Sequence, residues 1–305
     1  MHRYSYYKTA ACTLNVSIGD PQANKEEILK CIQELDSDTQ LVVFPELCVT
    51  GYTCQDLFYE HTLLNRAKQV LFEIVEELPE NLVTVLGLPL EIENRLYNCA
   101  AICFNHDILG IQVKTYIPSY NEFYETRWFS SASELKENTT FTYKNKKVPV
   151  SNHIVFKDTT TSACLGIEIC EDLWVTIPVS STHALAGANV LCNLSASNEI
   201  ISKANYRRNL VKDQSAKCYA GYVYASAGPA ESSSDLVFSG HNLICENGAI
   251  LSETKTDKII YGQIDLDHLN HDRLHYKTSM QDLFHVNYTT VEFTSKPIEE
   301  IEFDR

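Results

Sequence analysis

Cys170, Glu46 and Lys114 are the residues best suited to do chemistry together. Each stands where an apolar run stops: Glu46 after "VVFP", Lys114 after "ILGIQV", Cys170 after "LGIEI". Ends of buried strands are the usual place for site residues in layered α/β proteins. A thiolate is a strong nucleophile, but a free thiol is mostly protonated at neutral pH. Activation therefore needs a base within hydrogen-bond reach, or a nearby positive charge. Glu46 can be that base. A helical turn expected over 171–174 turns backbone N–H groups toward the sulfur. Attack on a carboxamide carbon would create an oxyanion. Lys114 and the Glu171 N–H could stabilise it, each such donor being worth roughly 2.7–4 kcal/mol. Glu46 would then hand its proton to departing ammonia, and water would release the acyl group. The chemistry is amide hydrolysis through a thioester. Each residue alone also has a plainer reading: Cys170 as one buried cysteine of 11, Glu46 as a helix cap, Lys114 as a solvated strand end.

The elements that must position them alternate along the chain. "TAACTLNVSI" alternates as a strand does. Asp20 and Pro21 then read as the cap and first turn of a helix with Ile28, Ile32 and Leu35 on one face. "QLVVFPEL" is a short buried strand stopped at Pro45. Residues 60–78 read as an amphipathic helix, and "NLVTVLGLPL" as a strand. "LYNCAAICF", "NHD" and "ILGIQVK" form a hairpin. Residues 126–152 are polar and irregular, an excursion over the surface. "SACLGIEIC", "NVLCNLSAS" and "GYVYASA" are strands separated by a short helix at "IPVSSTHALAGA" and a longer one at 200–220. A hairpin turns at Asn247-Gly248, and "KIIYGQIDLD" is the last clear strand. Alternating helices and strands with added hairpins predict an α/β layered sandwich with mixed sheets. Residues 266–305 are charged and weakly periodic, suited to wrapping a partner or leading into a further domain.

Bulk properties exclude several classes. The chain has 305 residues, 44% hydrophobic and 21% charged, with a formal net charge of −15. That acidity is ill suited to a nucleic-acid partner. No stretch approaches the roughly 18 apolar residues of a membrane helix. The start "MHRYSYYKTAAC" lacks the apolar core of a secretory signal, which predicts a cytosolic protein. The cysteines are odd in number and lie mostly in apolar runs, as reduced core residues do. His268 and His271 in "DHLNHD" are a weak metal-like pair that reads better as a solvated acidic loop.

The wording around the three residues adds a resemblance. "LVVFPELCVTGYTCQDL" (41–57), "KTYIPSYNEFYETRWF" (114–129) and "GIEICEDLW" (166–174) resemble, in order and spacing, the three signature segments of the nitrilase, or carbon–nitrogen hydrolase, superfamily. The similarity spans about residues 8–265. "YNEFYETRWF", "EDLW" and "NLSASNEIISKANYRRNLV" look like the branch that forms the glutaminase domain of glutamine-dependent NAD synthetases. The resemblance implies a four-layer αββα sandwich with two mixed central sheets. It implies a triad of Glu46 as base, Lys114 as oxyanion stabiliser and Cys170 as nucleophile. Glu125 would hold Lys114 charged and help position the substrate amide. Tyr52, Tyr120 and Ser197 match positions around the glutamine pocket, with Glu171 and Trp174 beside them. A cation for the α-carboxylate would come from Lys203, Arg207 or Arg208, with Lys203 nearest in the pattern. Arg207 and Arg208 read better as a solvated helix face or an oligomer contact.

The same resemblance implies L-glutamine as substrate, no cofactor for this domain, and homo-oligomeric assembly. It implies a synthetase partner domain that uses ATP and Mg to amidate deamido-NAD. That domain's S-G-G-x-D-S loop does not occur here, "FSGHNL" being the nearest stretch. The expected organisation is a hydrolase domain over 1–265 and a tail over 266–305 leading toward an absent synthetase domain, the chain being an excised or separate glutaminase half. Two rivals remain open: a stand-alone amidase of the same superfamily acting on another small carboxamide, and a non-catalytic docking module of a ligase.

Overall fold

The computed structural model describes residues 5–280 and 287–296; the first four residues and the ending "IEEIEFDR" lie outside them. Two large sheets form its centre. The first has eight strands in the order Ile259–Asp265, Tyr6–Cys12, Leu41–Val43, Val83–Ile92, Arg95–Phe104, Asp107–Val113, Lys146–Ser151 and Thr140–Tyr143. The second has seven, in the order Ala249–Thr254, Asn242–Glu246, Gly221–Ser226, Val190–Ser195, Cys164–Ile169, Ile154–Asp158 and Thr289–Phe293. Parallel and antiparallel neighbours occur in both, so both sheets are mixed.

Period-two alternation explains why the central strands read as continuous apolar runs. Successive side chains point to opposite faces, and here both faces are covered. Ala11, Val43 and Val85 face Leu165, Ile167, Cys192 and Val223 in the layer between the sheets. Ala10, Val42 and Leu86 face outward, against Ile28 of the helix Pro21–Gln33 and Val70 and Ile74 of the helix His61–Glu77. On the far side, Leu191 and Tyr222 pack with Ala184 of the helix Val179–Leu185 and Val211 of the helix Lys203–Lys217. The layers therefore run helix, sheet, sheet, helix, the αββα sandwich expected.

Local signals did what their chemistry requires. Asp20 Oδ1 accepts from the N–H groups of Gln22 and Ala23, both at 3.1 Å, and Pro21 opens the helix. Asn105 and His106, and Asn247 and Gly248, take positive φ at their hairpin tips. The segment 126–152 differs from the expectation. It holds two strands that complete the first sheet, and Phe141, Tyr143, Val148 and Val150 are buried. Beyond residue 265 a helix Leu266–His275 follows, carrying His268 and His271, and Thr289–Phe293 pairs in parallel with Ile154–Asp158. All 11 cysteines are buried and free. No helix among the described residues is long and apolar enough to cross a membrane.

One glycine sets the stage for Glu46. The loop after Leu41–Val43 lies directly on the Val83–Ile92 strand, with Val49 N donating to Gly87 O at 3.1 Å. A Cβ on Gly87 would stand 2.5 Å from both Leu47 N and Pro45 O. Those are backbone atoms and cannot rotate away. Gly87→Ala is expected to destabilise by about 1–3 kcal/mol through overpacking. Thermal unfolding measures it: a midpoint unchanged from the parent would show that the 45–47 loop is not held as tightly as these distances require.

Candidate active site

Three strand ends converge from the two sheets. Glu46 and Lys114 come from the first sheet and Cys170 from the second, and all three are buried. Lys114 is the hub. Its Nζ donates to Glu46 Oε1 at 2.6 Å and to both oxygens of Glu125 at 2.8 Å. Burial alone would strip its charge. The Glu125 and Glu46 carboxylates outweigh that and hold its pKa well above the ordinary value. Glu46 also accepts from Asn98 Nδ2 at 2.7 Å, through the same Oε1. Its Oε2 has no hydrogen-bond partner among the described residues. Burial, helped by the neighbouring Glu125 charge, raises the Glu46 pKa to about 7 against the pull of Lys114.

Cys170 opens a single 3₁₀ turn, Cys170–Leu173, and takes φ +46°, a left-handed conformation that costs a non-glycine residue roughly 1–2 kcal/mol. Burial raises the thiol pKa, and the Glu46 charge adds to this. Lys114 and the Ser195 hydroxyl pull the other way. The resting sulfur is thus protonated, with a base of near-neutral pKa in its field. Asp172 holds the turn in place. Its Oδ2 accepts from Ile169 N at 3.1 Å, and its Oδ1 accepts from Thr115 N at 3.0 Å and Tyr116 N at 2.8 Å. One buried carboxylate therefore ties the cysteine turn to the chain leaving Lys114.

The remaining residues form two groups. Tyr52 joins the hub, donating to Glu125 Oε1 at 2.8 Å, while Glu231 grips the Tyr52 and Thr53 N–H groups at 2.7 and 3.0 Å. Tyr120, Glu171, Trp174 and Lys203 line the other side. Tyr120 OH donates to Glu171 Oε2 at 2.8 Å. Lys203 Nζ lies 4.9 Å from the centre of the Trp174 ring and 5.7 Å from that of Phe123, and donates to Asn198 Oδ1. Burial lowers its pKa. Tyr120, Phe123, Trp174, Asn198 and Lys203 line one open cleft. Ser197 is buried, and its hydroxyl accepts from Arg207.

Arg207 corrects the sequence reading. It is fully buried, not a solvated or oligomer-facing residue, because its guanidinium binds Ser197 Oγ, Asn198 O and His241 Nδ1 beneath the helix. Arg208 does lie toward the surface, paired with Glu253. Asn98, Asp172 and Glu231 were missed. Asn98 had a signal, since it is the polar residue inside the apolar run "YNCAAICF". Asp172 and Glu231 had none beyond their acidity, because what they bind is backbone brought from elsewhere in the chain. His268 is paired with Glu246 and Asp272, and no group of His, Cys, Asp or Glu among the described residues is placed to hold a metal ion.

Known proteins share this arrangement of layers. The profile of the carbon–nitrogen hydrolase family matches residues 8–273. The glutamine-dependent NAD(+) synthetase of Mycobacterium tuberculosis is 38% identical over 83% of this chain and 38% of its own length. That of Mycobacterium leprae is 35% identical over 98% of this chain and 44% of its own. The chain thus spans less than half the length of these curated relatives. Among solved structures, a glutamine-dependent NAD(+) synthetase from Cytophaga hutchinsonii superposes with a TM-score of 0.75 at 28% identity, covering 85% of this chain and 43% of that one. A carbon–nitrogen hydrolase from Helicobacter pylori has the same fold over 92% of this chain and 96% of its own, with a TM-score of 0.72 at 17% identity. The two-sheet sandwich and a match running over most of its length make this chain a member of the carbon–nitrogen hydrolase family.

Proposed function

We propose that this chain is a glutamine amidohydrolase that works through a thioester on Cys170 and releases ammonia for the ATP-dependent amidation of deamido-NAD by a synthetase domain. The observation that carries the reading is the buried Lys114 ammonium bound between Glu46 and Glu125, with one Glu46 oxygen left free. The relatives' names supply the substrate and the destination of the ammonia.

The residues divide the work as follows. Glu46 Oε2 takes the Cys170 proton as the sulfur attacks the carboxamide carbon. The carbonyl π bond opens onto oxygen, and Lys114 Nζ with the Glu171 N–H stabilises that charge. Glu46 then gives its proton to the departing nitrogen, the C–N bond breaks, and ammonia leaves a thioester behind. Water enters, loses a proton to Glu46 and attacks the thioester carbon. The C–S bond breaks, glutamate departs and the thiol regains its proton. A carboxyl with a pKa near 7 can both accept and release a proton at neutral pH, which this cycle needs. Glu125 and Tyr52 keep the ammonium in place. Lys203, held between two rings with part of its charge unanswered, is the cation for the α-carboxylate. Glu171 and Tyr120 face the α-ammonium, and Ser197 and Trp174 complete the wall. The hydrolase itself takes no cofactor. ATP and Mg serve the synthetase, and the setting is a cytoplasmic homo-oligomer.

Ammonia release from glutamine, measured beside a panel of other small carboxamides, tests the reading. Glutamine should be strongly preferred, and a better substrate among the others would remove the link to NAD. Cys170→Ala should lose turnover by roughly 10⁴-fold or more, since it deletes the covalent step.

The pH dependence follows from Glu46. It must be ionised to accept the thiol proton, and its pKa is raised to about 7. Turnover should therefore fall as pH drops through about 7, not through the ordinary carboxylate range near 4. A profile flat from neutrality down to roughly pH 5 would show that Glu46 does not titrate near 7 in the working enzyme.

Lys203→Met should raise KM for glutamine by roughly 10- to 100-fold, as loss of a charge-assisted hydrogen bond does, with kcat changed far less. An unchanged KM would move the carboxylate site elsewhere.

A further inference from the structure

Lys203 and Glu122 carry opposite charges and line the same open cleft, yet among the described residues neither forms an ion pair. Asn198 stands between them. Lys203 Nζ donates to Asn198 Oδ1, and Asn198 Nδ2 donates to Glu122 Oε1. An ammonium can only donate and a carboxylate only accepts, so the amide has one possible orientation. Among the described residues these are the only hydrogen bonds that the two charged groups make. Two hydrogens on Lys203 Nζ and the second oxygen of Glu122 are left over.

The amide between them is held from behind. Asn198 is buried, its backbone O accepts from Arg207 Nη2 at 2.8 Å, and it bridges to Phe238. Glu199 N, the next along the chain, donates to Val237 O at 2.7 Å. Asn198 therefore cannot step aside and let the two charges meet. Lys203 is fixed as well, 4.9 Å from the centre of the Trp174 ring and 5.7 Å from that of Phe123. It is the first residue of its helix, where the positive end of the helix disfavours a cation. The helix gains nothing from a lysine there, whereas an incoming anion does. Glu171 bonds through both oxygens to Tyr120, at 3.0 and 2.8 Å, and lines the neighbouring groove. The carboxylate that shares the cleft with Lys203 is Glu122.

We propose that Glu122 accepts the α-ammonium of the substrate while Lys203 holds its α-carboxylate, and that Asn198 is the spacer that keeps the two from neutralising each other. The inference rests on the amidohydrolase reading, in which Lys203 already meets the α-carboxylate. An α-amino acid carries both charges on one carbon, so its head group offers the cleft a charge pair opposite in sense to Lys203 and Glu122. A direct ion pair between those two side chains would have to break before each substrate bound. The amide avoids this. It answers each charge with one hydrogen bond and leaves the remaining capacity for the substrate. An ammonium has three hydrogens, so Glu122 adds to Glu171 and Tyr120 without replacing them. The substrate class is a free α-amino acid with a side-chain carboxamide. An amide lacking either charge leaves one of these groups unanswered, which is how a polar site rejects it.

The test compares glutamine with glutaramate, which lacks the α-ammonium, and with 4-aminobutyramide, which lacks the α-carboxylate. Ammonia release gives kcat/KM for each, and the preference for glutamine over each analogue is taken as a ratio. The parent protein should prefer glutamine to both; if it does not, the glutamine reading itself fails. Given that preference, Glu122→Gln should cut the ratio over glutaramate by roughly 10- to 100-fold, as loss of a charge-assisted hydrogen bond does, and leave the ratio over 4-aminobutyramide within about twofold. Lys203→Met should do the reverse. Asn198→Ala should lower both ratios together, because Lys203 and Glu122 can then pair. A general disturbance of the site slows all of these amides and leaves the ratios alone. Unchanged ratios in Glu122→Gln, or equal losses against both analogues, would overturn the role of Glu122. Unchanged ratios in Asn198→Ala would overturn the spacer.

Discussion

An ammonium with no exposed surface has to be met by charge, and the site is organised around how Lys114 is met. Breaking a buried pair by removing one partner typically costs about 3–5 kcal/mol, because the other charge is stranded. Lys114 has two carboxylate partners, so the stranding problem passes to them. With both ionised the trio carries one net negative charge in a space closed to water. A single proton relieves that excess. Burial is the leading cause that raises the Glu46 pKa to about 7; Lys114 pulls it down and Glu125 pushes it up. A base poised at neutral pH thus comes first from burying Glu46, with Lys114 holding the rise down and Glu125 adding to it. Asymmetry within the trio also matters. Asn98 and Lys114 both occupy Glu46 Oε1, so the oxygen left for proton transfer is set by packing.

Holding such a trio against a sulfur from the other sheet needs rigid connections, and these are mostly backbone bonds to carboxylates. Asp172 binds three N–H groups across two chain segments. Burial raises its pKa to about 8, and the N–H bonds oppose that. Glu231 does for the Tyr52 loop what Asp172 does for the cysteine turn. Local conformation bears the cost. Leu47 and Cys170, beside or within the reactive set, both take positive φ without being glycine. Gly87 permits the first by letting the 45–47 backbone lie on a strand. The three-bond clamp of Asp172 maintains the second.

Much of this could be read from the chain because burial leaves a pattern. Strands covered on both faces appear as unbroken apolar runs, so the points where those runs end, at Glu46, Lys114 and Cys170, stood out. The Asp20-Pro21 cap and the Asn247-Gly248 turn were legible because each depends on its own residues alone. Thr140–Tyr143 and Lys146–Ser151 were not. They are short, they lie at one end of the first sheet, and "YKNKK" covers their turn with charge, so their buried Phe141, Tyr143, Val148 and Val150 were too sparse to register. Arg207 was misread for a deeper reason. The helix Lys203–Lys217 turns Arg207, Val211, Gln214 and Ser215 inward, so its buried face is mainly polar and periodicity of apolar residues has little to detect.

That inward polar face follows from what lies beneath it. The loop after Val190–Ser195 carries Asn198 to the cleft; its backbone bridges to Phe238, with Glu199 N donating to Val237 O at 2.7 Å, and Arg207 meets Asn198 O and the Ser197 hydroxyl. An apolar helix face would leave Asn198 O and the Ser197 hydroxyl desolvated and unpaired, at a cost of about 1–3 kcal/mol each. A guanidinium supplies several donors in one plane and can answer both at once, which a lysine cannot do in the same geometry. Its own burial is tolerable because His241 and Glu253 extend the network to the surface, where Glu253 also binds Arg208. The charge on Arg207 is thus answered directly by Glu199, 3.5 Å from its Nη1, and through His241 by the half-buried Glu253. Both sheets end their strands on buried charge for the same reason. A site that must handle a proton, an anion and an ammonium away from water has to bring its own counter-charges inside, and then build the surrounding layers to hold them.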